Sequence, residues 1–321
     1  MQQRRRMTLA QVLGALVAAL ALAGASGCGS SGSGSEATGD PATDKLAQVL
    51  ARGTLVGFFE PDYPPQSLRV ENAQRPADTK CAANQLTTAE VTGYDTVTMR
   101  LVAEKLGVEA CFATPTWTEV IAGNWGDRLD IAYASGSINA DRMQRLYMTQ
   151  PYYAVPNFYF VAADSPAKDA ADLEGKRIGA CAGCSHEAYL RGELSIPGVE
   201  IDRGLEQPTI VTYQTEGPGL LATARGRIDA YLASDPVGQA RIDEGQALRR
   251  LPDLTFTEYQ TGFVDRSSGF EAKAFVTRIN EIIKGLHADG TLKKLSVEWF
   301  GKNYATAGAD YDIAAIGQTV E

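Results

Sequence analysis

The chain is organised around the segment Tyr133-Ala-Ser-Gly-Ser-Ile-Asn-Ala-Asp-Arg142, which is followed by Met-Gln-Arg-Leu-Tyr-Met-Thr-Gln-Pro-Tyr-Tyr153. The apolar segment Leu129 to Tyr133 predicts a strand that leads into Ser135 and Ser137, with a short helix beginning near residues 139 to 141. Unpaired N–H groups at a helix start attract anions, and serine hydroxyls add donors. Arg142 supplies a planar fork that can hold both oxygens of one carboxylate. The alternative is an ordinary solvated arginine.

Three features of this stretch carry a resemblance to a known family. They are the strand, the Ser-x-Ser-Ile-x-x-x-Arg spacing that ends at Arg142, and the exit through Pro151-Tyr-Tyr. Together they resemble the type II solute-binding proteins of ABC importers, specifically the polar amino-acid family, and the similarity runs from about Leu55 to Phe300. The resemblance implies an α/β fold of two lobes, joined by two hinge crossover strands, that close on a small carboxylate-bearing solute.

The N-terminal segment has the pattern of an export signal. Arg4, Arg5 and Arg6 precede an apolar run that ends near Ala25, and small residues then lead into Cys28. The run is short for a membrane span and is followed by polar residues. We therefore expect a lipoprotein signal peptide over residues 1–27, lipidation of Cys28 and a flexible Gly/Ser tether over residues 28–43. An uncleaved anchor helix is the alternative, because Ala25 stands where a lipobox more often has Leu.

The composition is that of an exported soluble body. The chain has 321 residues, of which 44% are hydrophobic, so one large or two modest domains can form. Its formal net charge of -9 argues against a nucleic-acid partner. The sequence has no evident Ser-His-Asp or metal cluster, and we expect no catalytic residue, no cofactor and no metal. We expect a monomer at the outer face of the cytoplasmic membrane or in the periplasm.

Four cysteines remain once Cys28 is assigned to lipidation. Cys81, Cys111, Cys181 and Cys184 can form two disulfides in an oxidising compartment, with three possible pairings. The Cys-x-x-Cys spacing also resembles a redox motif, and four cysteines can hold zinc, but no second close Cys pair or nearby His completes a zinc ribbon. If the chain folds as two closing lobes, a bridge between them would restrict closure. That consideration favours Cys81 with Cys111 and Cys181 with Cys184.

The resemblance places two aromatic rings in the first lobe's part of the site, and Glu60 beside them is a further candidate for ligand binding. Tyr63 follows the turn that begins at Glu60, where the family has a ring that stacks on the ligand, and Tyr94 matches a second ring across from it. Tyr63 as a simple rim residue is the alternative. Thr116 and Glu119 form a capping box, and Trp117 is expected only to pack. Residues 72–88 are expected to form an inserted loop or hairpin.

The second lobe offers a hydroxyl and one displaced acid. Ser185 occupies the position where a hydroxyl at a helix start meets the ligand carboxylate in the resembled family. His186, beside it, is expected to face solvent, with titration near a ligand as the alternative. The family's aspartate, which pairs with the ligand α-ammonium, is replaced by Ser234, and the acid is Asp235. Asp235 is either the ammonium partner or a helix cap.

The resemblance also implies a division of the chain and a function. The expected first lobe comprises residues 44–155 and 264–305, the second lobe residues 156–263, and the tail residues 306–321. The expected function is an extracytoplasmic receptor that delivers a polar amino acid or a derivative to an ABC permease with its ATPase subunit. One alternative is a dehydratase-like enzyme on the same scaffold, with Glu60 or Asp235 as general acid. The other is a ligand-sensing receptor for a membrane signalling partner.

Overall fold

The computed structural model describes residues 39–61, 63–202 and 204–320. The expected signal peptide, the expected lipidation site Cys28 and residues 28–38 of the expected tether lie outside the described residues. Residues 41–43 form a turn that leads to Asp44, whose carboxylate accepts a hydrogen bond from the Ala47 N–H and caps the first helix. No helix in the described ranges is long and apolar enough to cross a lipid bilayer.

The first group of elements, which we call lobe 1, is built around a short parallel pair of strands. Strand β1 pairs in parallel with β5, and the helices pack their apolar faces against these strands. The elements of lobe 1 are α1 (Lys45–Arg52), β1 (Thr54–Phe58), β2 (Leu68–Arg69), β3 (Leu86–Thr87), β4 (Val91–Thr92), α2 (Tyr94–Leu106), β5 (Glu109–Ala113), α3 (Trp117–Ala122), β6 (Ala132–Ser137) and β7 (Leu146–Met148).

Two long strands leave lobe 1 and return to it. Strand β8 (Tyr153–Ala162) pairs antiparallel with β12 (Leu248–Asp265). Val155 packs in the core of lobe 1, whereas Tyr159, further along β8, packs in a separate apolar core. Similarly, Phe256 of β12 belongs to that separate core and Val264 to the first. The two strands therefore connect two distinct cores, as hinge crossover strands must.

The second group of elements, which we call lobe 2, lies between β8 and β12 in the sequence. It contains β9 (Arg177–Cys181), α4 (Ser185–Arg191), β10 (Thr209–Tyr213), α5 (Glu216–Ala224), β11 (Ala230–Ser234) and α6 (Asp235–Asp243). Its strands follow the order β10-β9-β11, with parallel pairing, and β11 continues antiparallel onto β8. Parallel strands joined by helices are the arrangement that the alternating pattern predicts.

The C-terminal elements return to lobe 1 and then cross the hinge. Helix α7 (Lys273–Ala288) buries the predicted apolar face, including Ile279 and Ile283, and is followed by α8 (Thr291–Phe300) and α9 (Ala305–Ala309). Beyond these helices, the Tyr311 hydroxyl donates to the Pro197 carbonyl of lobe 2 at 2.7 Å. The expected tail is thus packed against both lobes.

The strand that leads into the central stretch differs from the prediction. It runs over Ala132–Ser137 rather than Leu129 to Tyr133, because β6 pairs antiparallel with β12, with Ser137 opposite Gln260. Ser135 and Ser137 therefore lie within the strand and not at a helix start. The short helix is a single 3-10 turn, Arg142–Gln144. The capping box of Thr116 and Glu119 is confirmed.

Candidate functional site

Arg142 lies between the two lobes. It is 3% exposed, and its Nη1 donates to the carbonyl and hydroxyl oxygens of Ser137 at 3.0 and 3.2 Å. Its Nη2 donates to the carbonyl of Gly183, in lobe 2, at 2.9 Å. The ring of Trp117 lies 5.1 Å from the guanidinium carbon. Burial lowers the pKa of Arg142 to about 10, although the nearby Glu258 charge opposes this. The guanidinium thus stays charged at neutral pH.

The approach of Gly183 to lobe 1 depends on its being glycine. Its φ of 72° is in the left-handed region, and a Cβ atom there would lie 2.6 Å from Ile121 Cδ1 of α3. The Cys181–Cys184 disulfide closes the loop around this residue. Loop, disulfide and arginine therefore form one contact between the lobes.

A second contact between the lobes joins Ser137 to Ser185. Their hydroxyl oxygens are 2.5 Å apart, and both side chains are almost completely buried. The Ser137 hydroxyl also accepts from Arg142, so two hydroxyls and a guanidinium converge on one point. Such a cluster of donors suits a carboxylate.

A small cavity lies beside this cluster. Lobe 1 contributes Glu60, Tyr63, Trp117, Ala134 and Ser135 to its lining, and lobe 2 contributes Cys181, Cys184, Gln214, Thr215 and Glu216. Its volume of about 30 Å³ is roughly the space of one water molecule. An organic solute therefore requires the lobes to separate before it can enter. Arg142 does not line this cavity but a larger crevice on its other side.

Two acidic side chains, Glu60 and Glu216, line the cavity, and a third, Glu258, lies 3.6 Å from His186. Glu216 and Glu258 are each 4% exposed, and Glu60 is partly buried. Burial is the main cause that raises the pKa of Glu216 to about 8, and the charges of Glu258 and Glu60 contribute less. Burial, followed by the charge of Asp95, raises the pKa of Glu60 to about 7. At pH 7, Glu216 is therefore mostly protonated and Glu60 is about half protonated.

His186 is buried between two of these acids, which corrects the expectation that it faces solvent. It is 4% exposed because α4 turns its side chain toward the hinge strands. Its Nε2 lies 2.8 Å from Asn157 Oδ1 and 3.6 Å from Glu258 Oε2, and its Nδ1 lies 3.6 Å from Glu216 Oε1. Burial lowers the pKa of His186, so the ring is neutral and Nε2–H donates to Asn157.

Ser135 takes part in an internal network. Its hydroxyl donates to Asp95 Oδ2 at 2.6 Å and lies 2.6 Å from the Tyr153 hydroxyl, which can donate to it. Tyr152 donates to the other oxygen of Asp95 at 2.7 Å. Burial raises the pKa of Asp95 to about 7, although the hydrogen bonds from Ser135 and Tyr152 oppose this. Ser135 reaches the cavity wall, but its hydroxyl is already engaged.

Tyr63 and Tyr94 have different positions. Tyr63 lines the cavity and packs against the core of lobe 2, as a ring over a bound solute would. Tyr94 is fully buried in lobe 1, 4.9 Å from the Tyr153 ring, and its hydroxyl donates to the Tyr152 carbonyl at 3.3 Å. The expectation of Tyr94 as a second ring facing Tyr63 is corrected, because the start of α2 directs it into the core.

Asp235 is engaged away from the cavity. Its carboxylate contacts Arg250, accepts from Lys302 Nζ at 2.8 Å and accepts from the Tyr304 hydroxyl. Burial opposes ionisation, but the hydrogen bonds from Lys302, Tyr304 and Arg250 hold the pKa of Asp235 below its usual range.

The structure therefore corrects both expected roles of Asp235. It is not a cap, since it is the first residue of α6 and the N-cap, Ser234, makes no side-chain cap hydrogen bond. Asp235 is also absent from the cavity lining, and so is Ser234, which is 3% exposed.

The structure contains the two expected disulfides. Cys81 is joined to Cys111 within lobe 1, and Cys181 to Cys184 within lobe 2. The statement that no histidine lies near the cysteines is corrected, because a ring nitrogen of His186 lies within 4.8 Å of both Cys181 and Cys184 sulfurs. Both sulfurs are consumed by the disulfide, so they are not free thiolate ligands for zinc.

Sequence reasoning missed three residues of this crevice. No site role was predicted for Glu216 or Glu258, and Trp117 was expected only to pack. The buried indole Nε1–H of Trp117 has no hydrogen-bond partner, and Trp117 lines the cavity. One signal in the sequence was available for Glu258, because it is an acid inside a crossover strand. A buried charge requires a partner, so such an acid indicates a polar site.

The structure has two cores that are joined by paired strands, and polar groups of the two lobes face each other. These features define the class of two-lobed type II periplasmic binding proteins. The family model for bacterial extracellular solute-binding proteins, family 3, matches residues 58–302. The chain belongs to this family, and the expected fold class and family are confirmed.

Known relatives and solved structures agree with this assignment. The L-cystine-binding protein TcyJ of Escherichia coli K12 is 25% identical over 258 residues, which cover 80% of this chain and 86% of that protein. The histidine-binding periplasmic protein of Salmonella typhimurium LT2 is 24% identical over 249 residues, covering 74% and 88%. The crystal structure of Tv2483 bound to L-arginine superposes with a TM-score of 0.66 at 19% identity, covering 85% of this chain and 99% of that one.

Proposed function

We propose that the chain is the extracytoplasmic receptor of an ABC importer and that it binds a polar amino acid between its two lobes. The observation that carries the proposal is the convergence of Arg142, Ser137 and Ser185 from opposite lobes. A ligand carboxylate that replaces the direct contacts among these groups would link the lobes only when they are closed. The binding of cystine, histidine and arginine named for its relatives supports an amino acid as the ligand.

The same proposal covers the division and the location of the chain. Residues 44–155 and 264–305 form the first closing unit, residues 156–263 the second, and residues 306–321 a tail. Residues 1–27 direct export, and lipidation of Cys28 holds the protein at the outer face of the membrane. There it delivers its ligand to a permease with its ATPase subunit.

A dehydratase-like activity is the second candidate, and one observation favours it. Glu60 and Glu216 line the cavity with pKa values raised to about 7 and about 8, as a general acid requires. Asp235 is not a suitable acid, because its pKa is lowered. Since the family consists of binding proteins, we propose that the chain binds without turnover.

The test uses the exported body purified without its first 38 residues. After unfolding and refolding to remove retained solute, it is titrated calorimetrically with L-cystine, L-histidine, L-arginine and the other polar amino acids, while mass spectrometry follows each solute for conversion. Saturable binding with unchanged solute supports the receptor. No binding to any member of the panel contradicts it, and conversion of a bound solute establishes the enzyme instead.

A further inference from the structure

Glu216 is buried with one oxygen unused. It is 4% exposed, it lines the cavity between the lobes, and its Oε2 has no hydrogen-bond partner. The Tyr63 hydroxyl is near Glu216 but makes no hydrogen bond of good geometry with this oxygen. Burying a carboxyl oxygen without a hydrogen-bond partner costs free energy. A ligand group that donates a hydrogen bond to this oxygen from inside the cavity would therefore bind favourably there.

The groups that face Glu216 do not neutralise it. The neutral ring of His186 lies 3.6 Å from Oε1, and Glu258 and Glu60 add negative charge. Arg241, on α6, lowers the pKa of Glu216, but its guanidinium also forms an ion pair with Glu244 at 2.9 Å. The charge of Glu258 also acts on Arg142, and among the described residues around the cavity the acids outnumber the cations. The ionised form of Glu216 therefore requires a cation that the surrounding side chains do not supply.

We propose that Glu216, and not the residue at the position of the family's aspartate, is the acceptor for the ammonium group of the bound solute. The inference rests on the proposed function, in which Arg142 and the two serines receive the carboxylate. Ser234 carries no charge, and Asp235 is neutralised by Arg250 and Lys302 outside the cavity. Glu216 thus takes the role that neither residue can fill.

Binding of an ammonium group at Glu216 releases a proton. In the ligand-free protein the pKa of Glu216 is raised to about 8, so at pH 7 the carboxyl is mostly protonated. An adjacent ammonium favours the carboxylate, and the carboxyl proton then passes to solvent while the ammonium keeps its own. Affinity for an amino acid should therefore rise roughly ten- to fifty-fold between pH 6 and pH 8.

The experiment compares the wild type with Glu216→Gln, and with Glu200→Gln as a control at an exposed position of lobe 2. Each protein is titrated at pH 7 with the tightest-binding amino acid of the panel and with its deamino analogue, in buffers that differ in ionisation enthalpy. We expect Glu216→Gln to weaken the amino acid at least about ten-fold, to leave the deamino analogue unchanged and to abolish most of the proton release. Glu200→Gln should match the wild type.

The outcomes separate this inference from the proposed function. If the wild type binds neither an amino acid nor an analogue, the proposed function fails. If the wild type binds amino acids and Glu216→Gln keeps the same preference for them with the same proton release, only the role of Glu216 is overturned. The glutamine variant should fold, because a neutral amide is no costlier to bury than the protonated acid, and unfolding at pH 8 checks this directly.

Discussion

Arg142 Nη2, in lobe 1, donates a hydrogen bond of 2.9 Å to the carbonyl oxygen of Gly183, in lobe 2. This contact holds the lobes together through the guanidinium that we propose for the ligand carboxylate. A ligand must therefore replace the Gly183 contact or share the guanidinium with it. The ligand-free protein is in equilibrium between this closed form and an open form that a ligand can enter. The apparent affinity for the ligand is lowered because only the open fraction of the molecules can bind it.

The buried acids predict an unusual pH dependence of stability. The pKa values of Glu216, Glu60 and Asp95 are raised in the folded protein, to about 8, about 7 and about 7. The folded state then binds more protons than the unfolded state between about pH 4.5 and pH 8, so stability falls as pH rises through this range. His186 and His287, whose pKa values are lowered by burial, partly offset this loss. Since one pKa unit corresponds to about 1.4 kcal/mol, we expect calorimetric unfolding of the ligand-free protein to show a net loss of several kcal/mol from pH 5 to pH 8.

The control for this prediction is again a pair of glutamine variants. Glu216→Gln should reduce the slope, since it removes the group whose pKa is raised most, and the exposed Glu200→Gln should leave the slope as it is. A stability that is constant or increasing over this range would show that these carboxyls are ionised in the folded protein.

The two disulfides should have different effects. Cys81 and Cys111 are 30 residues apart, so replacing both by Ser should cost about 3 kcal/mol of unfolding free energy and leave ligand affinity unchanged. Cys181 and Cys184 are only 3 residues apart, so their loss should cost less stability. It should instead lower ligand affinity, because this bridge holds the loop that carries the Gly183 carbonyl. Denaturant unfolding measures the stability of both double variants, and calorimetric titration measures their ligand affinity. Equal effects of the two replacements on affinity would contradict the prediction.

Asp235 is predicted to matter for stability and not for binding. Asp235→Asn leaves Arg250 and Lys302 without their shared anion, and we expect a loss of about 2 kcal/mol with ligand affinity within two-fold of the wild type. Since the pKa of Asp235 is lowered, its contribution is present above the ordinary aspartate pKa and is lost as pH falls through the folded value. A large loss of affinity at neutral pH in a stably folded Asp235→Asn protein would contradict this prediction and indicate that Asp235 contacts the ligand.

The sequence predicted the fold well, for physical reasons. Periodic apolar residues and glycine stops marked the helices, as for α1, which ends at Gly53, and for the buried face of α7. The spacing of Ser137 and Arg142 is local, so it survives in any packing of the chain. Local pattern could therefore place Ser137 and Arg142 close to each other.

The rest of the crevice depends on contacts between residues distant in sequence. Glu216 and Glu258 meet through His186 only because α4, α5 and β12 converge, and no spacing in the sequence encodes that convergence. The position of Tyr94 was predicted wrongly for the same reason, since the direction of its ring is set by contacts with Tyr152 and Tyr153, which are distant in sequence. The extent of β6 was missed because its last residues are held by pairing with β12, more than 100 residues away.

The most direct test of the account is a calorimetric titration of Arg142→Gln with the amino acid that binds the wild type most tightly. Arg227→Gln, at an exposed position of lobe 2, serves as the charge-matched control. The account predicts that Arg142→Gln weakens binding at least about 100-fold while the protein remains folded, and that Arg227→Gln binds as the wild type does. Wild-type affinity in a folded Arg142→Gln protein would contradict a carboxylate site between the lobes.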